Sequence, residues 1–171
     1  RTIFLVQAER FRFALRTVKQ SCWVIILAGY FTSLLSEFVT HPPERIADQL
    51  AAKLIEHYRG DHERQLYSWR KQIRLLQNTL KGHLDAHPYA ANWCIIFEYP
   101  LLRLQRRLDV VVLAGDIVTI IEFKVGDGSY NAMDKRQVED YALGLRDFHE
   151  TSHGLPIWPV LCVTGAPPGE L

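Results

Sequence analysis

Hydrophobic positions change their spacing midway along the chain. In the first half they recur every three or four residues, the period of an amphipathic helix, and from Trp93 onward they form short runs rich in Val, Ile and aromatic side chains. The first pattern predicts helices and the second predicts strands. We therefore expect a single domain over residues 1–171, with a mainly helical region at 1–90 and a sheet-bearing core at 91–165.

Two helices are predicted in the first half. One begins after Pro42-Pro43 and ends at Gly60, and the other begins at Asp61, a residue type that caps helix N-termini. Their apolar faces comprise Ile46, Ala47, Leu50, Ala51, Leu54, Ile55 and Tyr58 in the first helix and Leu66, Trp69, Ile73, Leu76 and Leu80 in the second. Residues 1–39 fit either a strand or a buried helix by their spacing, so both interpretations of that stretch stay open.

Four strands are predicted in the second half, over residues 93–98, 108–113, 117–123 and 157–163. A helix capped by Asn131 lies between the third and fourth strands, which predicts a parallel strand pair with a right-handed crossover. Pro159 lacks the N–H that a central strand needs, so the fourth strand should lie at an edge or carry its proline on an unpaired side. The predicted class is α/β, a mixed central sheet with helices on both faces. The helix should bury Val138, Tyr141, Ala142, Leu145 and Phe148.

The charges of the chain almost cancel, with 20 Lys and Arg residues against 19 Asp and Glu residues. That balance excludes proteins that hold nucleic acid by bulk positive charge, so any such contact must be local. The longest apolar run, residues 22–31, is about half of the ~20 residues that a membrane-spanning helix needs. No membrane contact is therefore expected, and the scattered cysteines Cys22, Cys94 and Cys162, which lie in apolar runs, favour a reducing cytoplasm.

A two-residue turn, Gly115-Asp116, connects two of the predicted strands. Pairing Ala114 with Ile117 across this turn places Asp109 directly opposite Glu122. Apolar residues surround the two carboxylates on both faces, so they should lie at or near a buried surface. One face is predicted to hold Leu108, Val110, Val112, Ile121 and Phe123, and the other Val111, Leu113, Val118 and Ile120.

Two opposed carboxylates destabilise an apolar sheet unless something neutralises their charge. A divalent cation, Mg²⁺ or Mn²⁺, would do so because carboxylate oxygens are the ligands it prefers. Lys124 lies on the same face as Glu122 and would bring an ammonium group to the edge of that site. The alternative is a metal-free cluster in which Lys124 and Arg107, predicted to lie opposite each other, neutralise Asp109 and Glu122.

The motif residues resemble those of a nuclease superfamily. Asp109 followed by Ile121-Glu122-Phe123-Lys124 forms the pattern D…E-x-K, with Leu108 where the superfamily name places Pro, and Gln137-Val138-Glu139-Asp140-Tyr141 forms Q-x-x-x-Y. The chain resembles the RecB-like branch of the PD-(D/E)XK nucleases, which implies a restriction-endonuclease-like core of order αβββαβ. Residues from about 60 to 165 also resemble the N-terminal nuclease-like domain of uncharacterised bacterial proteins that continue into a helicase.

The resemblance implies a Mg²⁺- or Mn²⁺-dependent deoxyribonuclease that hydrolyses phosphodiester bonds of single- or double-stranded DNA, with an attached or separate helicase as partner. Asp109, Glu122 and the Phe123 carbonyl would hold the metal, and Lys124 would orient or activate the attacking water and stabilise charge. The alternative is a catalytically inactive fold that binds nucleic acid or serves in assembly.

Three further residues enter the predicted catalytic set by resemblance. Gln137 and Tyr141 lie on one helical face and would support the site or contact DNA, although Tyr141 alone also fits a core aromatic. Glu98 would be the acidic residue that often precedes the Asp, and a solvated glutamate at a strand end is the equal alternative.

Basic residues near the motif suit a phosphate backbone. The predicted nucleic-acid-binding set is Arg103, Arg106, Arg107, Lys135 and Arg136. A second basic set, on the helix that begins at Asp61, fits either a solvated face or a phosphate-contacting flank, and comprises Arg64, Arg70, Lys71, Arg74 and Lys81. Two histidine pairs, His83 with His87 and His149 with His153, lack the further ligands of a zinc site.

Overall fold

A computed structural model describes residues 29–55, 62–101, 105–148 and 154–167. The chain is α/β. The strands are β1 (Phe31–Leu34), β2 (Cys94–Leu101), β3 (Arg106–Ala114), β4 (Ile117–Lys124) and β5 (Ile157–Val163). The helices are α1 (Leu35–Phe38), α2 (Pro43–Ile55), α3 (His62–Ala86) and α4 (Ala132–Phe148), with a 3₁₀ helix at Pro88–Asn92. No helix among the described residues is long and apolar enough to cross a membrane.

The five strands form one mixed sheet in the order β1-β2-β3-β4-β5. Neighbouring strands run antiparallel except β4 and β5, which are parallel because α4 carries the chain back across the sheet. The predicted parallel pair is therefore confirmed, and β5 with Pro159 lies at an edge as expected. Strand β1 lies at the other edge, within residues 1–39, for which the hydrophobic spacing allowed either a strand or a buried helix.

Helices cover both faces of the sheet and bury two separate cores. The α3-side core joins α1, α2 and α3 to the sheet through residues such as Trp69 and Phe97, and the α4-side core joins α4 to the sheet through Val138, Tyr141 and Leu145. The apolar faces predicted for these helices are confirmed at their described positions. The side chains of Ile55, Tyr58 and Phe148 lie outside the described residues.

The turn at Gly115-Asp116 sets the register of β3 and β4 as predicted. Ala114 pairs with Ile117, and the ladder continues without a break to Val110 and Ile121. Gly115 has φ of 63°, a conformation in which a side chain would be strained, so the hairpin needs glycine there.

The ladder between β3 and β4 ends one residue before the predicted pair of Asp109 and Glu122. Continued pairing would require the Phe123 N–H to donate to the Leu108 carbonyl, but it donates to Asp109 Oδ2 at 2.8 Å. Beyond this point β3 stays paired with β2 as far as Arg106, while β4 stays paired with β5 as far as Lys124. The two strands therefore separate, and the predicted pairings of Asp109 with Glu122 and of Arg107 with Lys124 are wrong, because the ladder between β3 and β4 ends at Val110 and Ile121.

At Glu98, the alternation of the β2 side chains between the two faces of the sheet is interrupted. Up to Phe97 the residues alternate between the two cores, but Tyr99 and Leu101 both lie in the α4-side core with Ile96. Glu98 has φ of 53°, and this left-handed residue interrupts the alternation. Leu108, the pairing partner of Tyr99, also lies in the α4-side core, so its predicted place on the face of Val110 is wrong.

Helix α4 begins with the predicted cap. Asn131 Oδ1 accepts a hydrogen bond from the Asp134 N–H at 2.9 Å, and Asn131 Nδ2 donates to the Asp134 carboxylate. The first bond satisfies an N–H that has no partner within the helix. The cap therefore fixes the first turn of the helix that carries Gln137.

Replacing the cap should destabilise the domain without changing its fold. We expect Asn131→Ala to lower the free energy of unfolding by about 0.5–2 kcal/mol, the usual cost of losing an N-terminal cap. Urea denaturation followed by circular dichroism measures this difference. Asn131→Ser keeps an oxygen acceptor and should recover most of the stability, whereas equal stability of the Ala variant and the wild type would contradict the assignment.

Candidate active site

The separation of β3 from β4 brings three acidic side chains to one level of the sheet. Glu98 lies on β2, Asp109 on β3 and Glu122 on β4. Glu98 and Glu122 are buried, with 2% and 5% of their surface exposed, and Asp109 is half-buried. The predicted proximity of acidic groups is thus present, although it arises at a gap between strands and not within a regular ladder.

Glu122 is held by side chains from its own strand and from α4. Its Oε1 accepts hydrogen bonds from Lys124 Nζ at 3.3 Å and from Gln137 Nε2 at 2.9 Å. Its Oε2 is buried and has no hydrogen-bond partner among the described residues. One oxygen of a buried carboxylate is therefore left without a polar partner among the described residues.

Gln137 connects the other polar groups of this network. Its Oε1 accepts from Lys124 Nζ at 3.0 Å, and its Nε2 also donates to the Tyr141 hydroxyl at 2.7 Å. The Tyr141 ring belongs to the α4-side core, so both interpretations of this residue hold, a core aromatic and a member of the site network. The structure thus brings Glu122, Lys124, Gln137 and Tyr141 together.

Asp134 is a member of the network that the sequence analysis missed. Its Oδ1 lies 3.2 Å from Lys124 Nζ, and it is buried at the first turn of α4 beside the Asn131 cap. The spacing N-x-x-D at a predicted helix start is a signal for the capping contact, but it contains no information on the contact with Lys124. Lys124 therefore faces two carboxylates, Glu122 and Asp134.

Glu98 makes contacts on the opposite side of the sheet from α4. Its Oε1 accepts from Trp69 Nε1 at 2.6 Å, and its Oε2 lies 3.2 Å from Arg107 Nε. Strand β2 runs on to Leu101, so Glu98 is interior and buried, and the alternative of a solvated strand-end glutamate is wrong. Arg107 forms an ion pair with Glu98, and its charge also acts against the raised pKa of Asp109, as the charge of Lys124 does, so the metal-free cluster stays an alternative.

Glu98, Asp109 and Glu122 are carboxyl groups that lie close to one another in a largely buried site, and this raises their pKa values. Burial, followed by the charge of Asp109, raises the pKa of Glu98 to about 7, although Arg107 and the Trp69 hydrogen bond act against this shift. Burial also raises the pKa values of Asp109 and Glu122, and the charge of Asp109 raises the pKa of Glu122 further. A site that favours protonated carboxyls in this way also favours a bound cation.

A cleft of about 640 Å³ opens where β3 and β4 separate. Helix α3 provides one wall, and the ends of β3 and β4 provide the other. Each acid contacts a residue that lines the cleft: Glu98 contacts Arg107, Asp109 contacts the Phe123 N–H, and Glu122 contacts Lys124. The lining residues are Leu54, Arg64, Gln65, Tyr67, Ser68, Arg107, Phe123, Lys124, Val125 and Asp127.

The predicted basic residues occupy different places. Arg107 lines the cleft, and Arg106 is exposed, with its guanidinium carbon 5.8 Å from the centre of the Tyr141 ring. Lys135 and Arg136 are exposed on α4. Arg103 lies outside the described residues. Of the second basic set, Arg64 lines the cleft, while Arg74 forms an exposed ion pair with Glu44, as a solvated face would.

The carboxylates suit a hard cation, although the set is small. Among the described residues no group of three or more His, Cys, Asp or Glu side chains is arranged to hold a metal ion. The candidate set is Asp109, Glu122 and the Phe123 carbonyl, an all-oxygen set of the kind that Mg²⁺ and Mn²⁺ accept while keeping several waters. The unpartnered Glu122 Oε2 fits such a ligand. The rings of His83 and His87 lie 4.6 Å apart at an angle of 47° in an aromatic cluster with Trp93, outside the lining of the cleft.

Comparisons of the chain with protein-family models, with curated proteins and with solved structures gave no match. The inference of function therefore depends on the motif residues and their arrangement.

The raised pKa of Glu98 makes stability depend on pH. The folded state keeps a proton on Glu98 up to about pH 7, whereas the unfolded state releases it near the ordinary value of 4.5, so stability from this group is lost as pH rises through that window. In the presence of a chelator, the unfolding free energy of the wild type should fall between about pH 5 and about pH 8. In the Glu98→Gln variant this fall should be smaller, by on the order of 2–3 kcal/mol.

Urea denaturation at the two pH values tests this expectation. Glu44→Gln is the matched control, because Glu44 is exposed and its arginine hydrogen bond lowers its pKa, so its titration lies below the tested window. A Glu98→Gln variant with the full pH dependence of the wild type would show that Glu98 does not hold its proton in the folded state.

Proposed function

We propose that the protein is a metal-dependent nuclease that hydrolyses DNA phosphodiester bonds at the Asp109, Glu122 and Lys124 site. The observation that carries the proposal is the buried Glu122 Oε2, which lacks a partner among the described residues and belongs to a carboxyl whose pKa the charge of the half-buried Asp109 raises. Two carboxylates with raised pKa values, one of them incompletely bonded, would gain stability from a divalent cation.

The element order supports a restriction-endonuclease-like core. From α3 onward the helices and strands follow the order α, β, β, β, α, β, if the short 3₁₀ helix is set aside. The D…E-x-K residues lie on β3 and β4, and Gln137 and Tyr141 lie on the following helix and bond within the same network. Glu122, Lys124, Gln137 and Tyr141, which belong to two motifs that are separate in the sequence, are therefore in contact in the folded chain.

In the proposed reaction, water attacks the phosphorus atom, the P–O bond to one deoxyribose breaks, and a phosphomonoester and a free hydroxyl result. A divalent cation at Asp109, Glu122 and the Phe123 carbonyl would supply Lewis acidity toward the phosphate and activate the water. Lys124 would then act as a cation: burial alone would lower its pKa, but Glu122 and Asp134 outweigh that effect and raise it. Its ammonium group would orient the phosphate and stabilise the developing charge.

Gln137 and Asp134 would serve as positioning residues. Gln137 holds both the Glu122 carboxylate and the Lys124 ammonium group, and Asp134 anchors Lys124 on its other side. Both residues come from the first two turns of α4, so the helix would set the geometry between the acid and the lysine.

A catalytically inactive, nucleic-acid-binding module is the second candidate. The observation that favours it is the ion pair of Lys124 with Glu122 at 3.3 Å, by which the protein already neutralises one acid without a metal. Cleavage assays separate the two candidates, because the inactive module would bind DNA and leave it intact.

The catalytic proposal predicts loss of cleavage when the site residues change. With Mg²⁺ or Mn²⁺ and end-labelled single- and double-stranded DNA, we expect Glu122→Gln and Lys124→Ala each to lower the cleavage rate by about 100-fold or more. Glu44→Gln is the matched control, because it removes an exposed acid of α2 and should cleave like the wild type. Equal cleavage by all four proteins would exclude this site, and binding without cleavage by the wild type would favour the inactive module.

Cation binding should also stabilise the folded protein. With Mn²⁺ at about 100 times its Kd, the free energy of unfolding should rise by about 2.7 kcal/mol, which corresponds to roughly 5–10 °C in melting temperature. Differential scanning fluorimetry measures the shift, which Asp109→Asn should abolish and Glu44→Gln should keep. A metal-free cluster predicts no shift, and a melting temperature lowered by Asp109→Asn to the same extent with and without chelator.

A further inference from the structure

The cleft has an aromatic side chain that the core does not use. Tyr67 lies on the cleft wall provided by α3, and 57% of its surface is exposed. Lys71 Nζ lies 5.0 Å from the centre of its ring, a cation–π contact. The ring is thus placed between the cleft and a basic side chain of the same helix.

Helical spacing aligns Tyr67 with cationic and polar residues. Tyr67, Ser68 and Lys71 follow Arg64 by three, four and seven residues, so the four residues form one stripe along α3. Arg64, Tyr67 and Ser68 all line the cleft, and Arg107 and Lys124 face them from the sheet. Arg64 and Arg107 therefore lie on the two walls of a cleft that also holds an accessible aromatic ring, and Asp127 is the acidic residue in its lining.

We propose that this cleft binds a single-stranded segment of DNA, with one base stacked on Tyr67 and the adjacent phosphates held by Arg64 and Arg107. This inference rests on the proposed function in one respect, that the bound strand reaches Asp109 and Glu122, which contact the cleft-lining residues Phe123 and Lys124. Stacking on aromatic rings beside basic grooves is the usual way in which proteins hold single strands without selecting a sequence.

A single strand fits the cleft better than a duplex does. Bases of a duplex are already stacked on each other, so an aromatic wall gains a base only when the strand is unpaired. The volume of about 640 Å³ also lies within the ~300–1000 Å³ range of small-ligand pockets, which suits one part of a single strand and not a double helix. The nearly neutral net charge agrees, since a few local cations are enough for a short segment.

Fluorescence anisotropy with three labelled probes tests the proposal. The probes are a thymidine dodecamer, a duplex of the same length, and a dodecamer of abasic deoxyribose phosphates, each measured with the full chain in Ca²⁺ and checked on a gel for intact length. We expect the thymidine strand to bind tightest, and Tyr67→Ala to weaken that binding by about 10- to 100-fold. Tyr67→Phe keeps the ring and should bind like the wild type.

The matched control is Tyr89→Ala, because Tyr89 is also exposed, at 65%, but does not line the cleft. Tyr67→Ala should leave abasic-strand binding almost unchanged, whereas Arg64→Ala should weaken all strands. The proposal is overturned if the duplex binds as tightly as the single strand, if Tyr67→Ala and Tyr89→Ala behave alike, or if no probe binds. Tyr67-dependent binding with no cleavage in Mg²⁺ or Mn²⁺ would overturn the nuclease function alone, and cleavage without Tyr67-dependent binding would overturn this proposal alone.

Discussion

The hydrogen bond from the Phe123 N–H to Asp109 Oδ2 determines the shape of the whole site. A side-chain oxygen takes the donor that the next ladder bond between β3 and β4 would need. The two strands therefore separate while each keeps its other neighbour, and α3 packs across the resulting cleft. The opening occurs in the interior of a sheet that is covered on both faces, where backbone groups must find partners. The carboxylate that a cation would use is also the group that accepts the hydrogen bond at which the two strands separate.

The polar groups around the cleft form two sets with little in common. Glu98, Trp69 and Arg107 connect the sheet to α3, whereas Glu122, Lys124, Gln137 and Asp134 connect it to α4. Asp109 lies between the two sets, and its charge raises the pKa values of both Glu98 and Glu122. A change in charge at Asp109 would therefore reach both helices, although no side chain of α3 needs to touch α4.

Local patterns predicted the elements well, and the site only in part. The register from Ala114 to Val110 follows from the two-residue turn, and the contact of Lys124 with Glu122 follows from their spacing on one strand. The end of the ladder did not follow, because replacement of a backbone acceptor by the Asp109 carboxylate leaves no mark in the hydrophobic pattern. The left-handed conformation of Glu98 was also not predictable, because glutamate, unlike glycine, does not indicate a positive φ. The extension of β2 to Leu101 and the position of Leu108 in the α4-side core were therefore both missed.

Contacts between distant segments were the least predictable part, and the proposed binding of a single strand depends on them most. Trp69 was correctly assigned to the buried face of its helix, but the pattern cannot show that its indole N–H meets Glu98, 29 residues later. Likewise Tyr67 lies on the polar face of the same helix, and a single exposed aromatic residue there does not by itself indicate a binding site. Its significance comes from the sheet opposite, where the separated strands present Arg107 and Lys124. The charges of the chain almost cancel, so the protein would bind a polyanion through a few residues brought together in one cleft. The affinity would then depend on the positions of those residues, and binding would depend on salt only as strongly as a few phosphate contacts require.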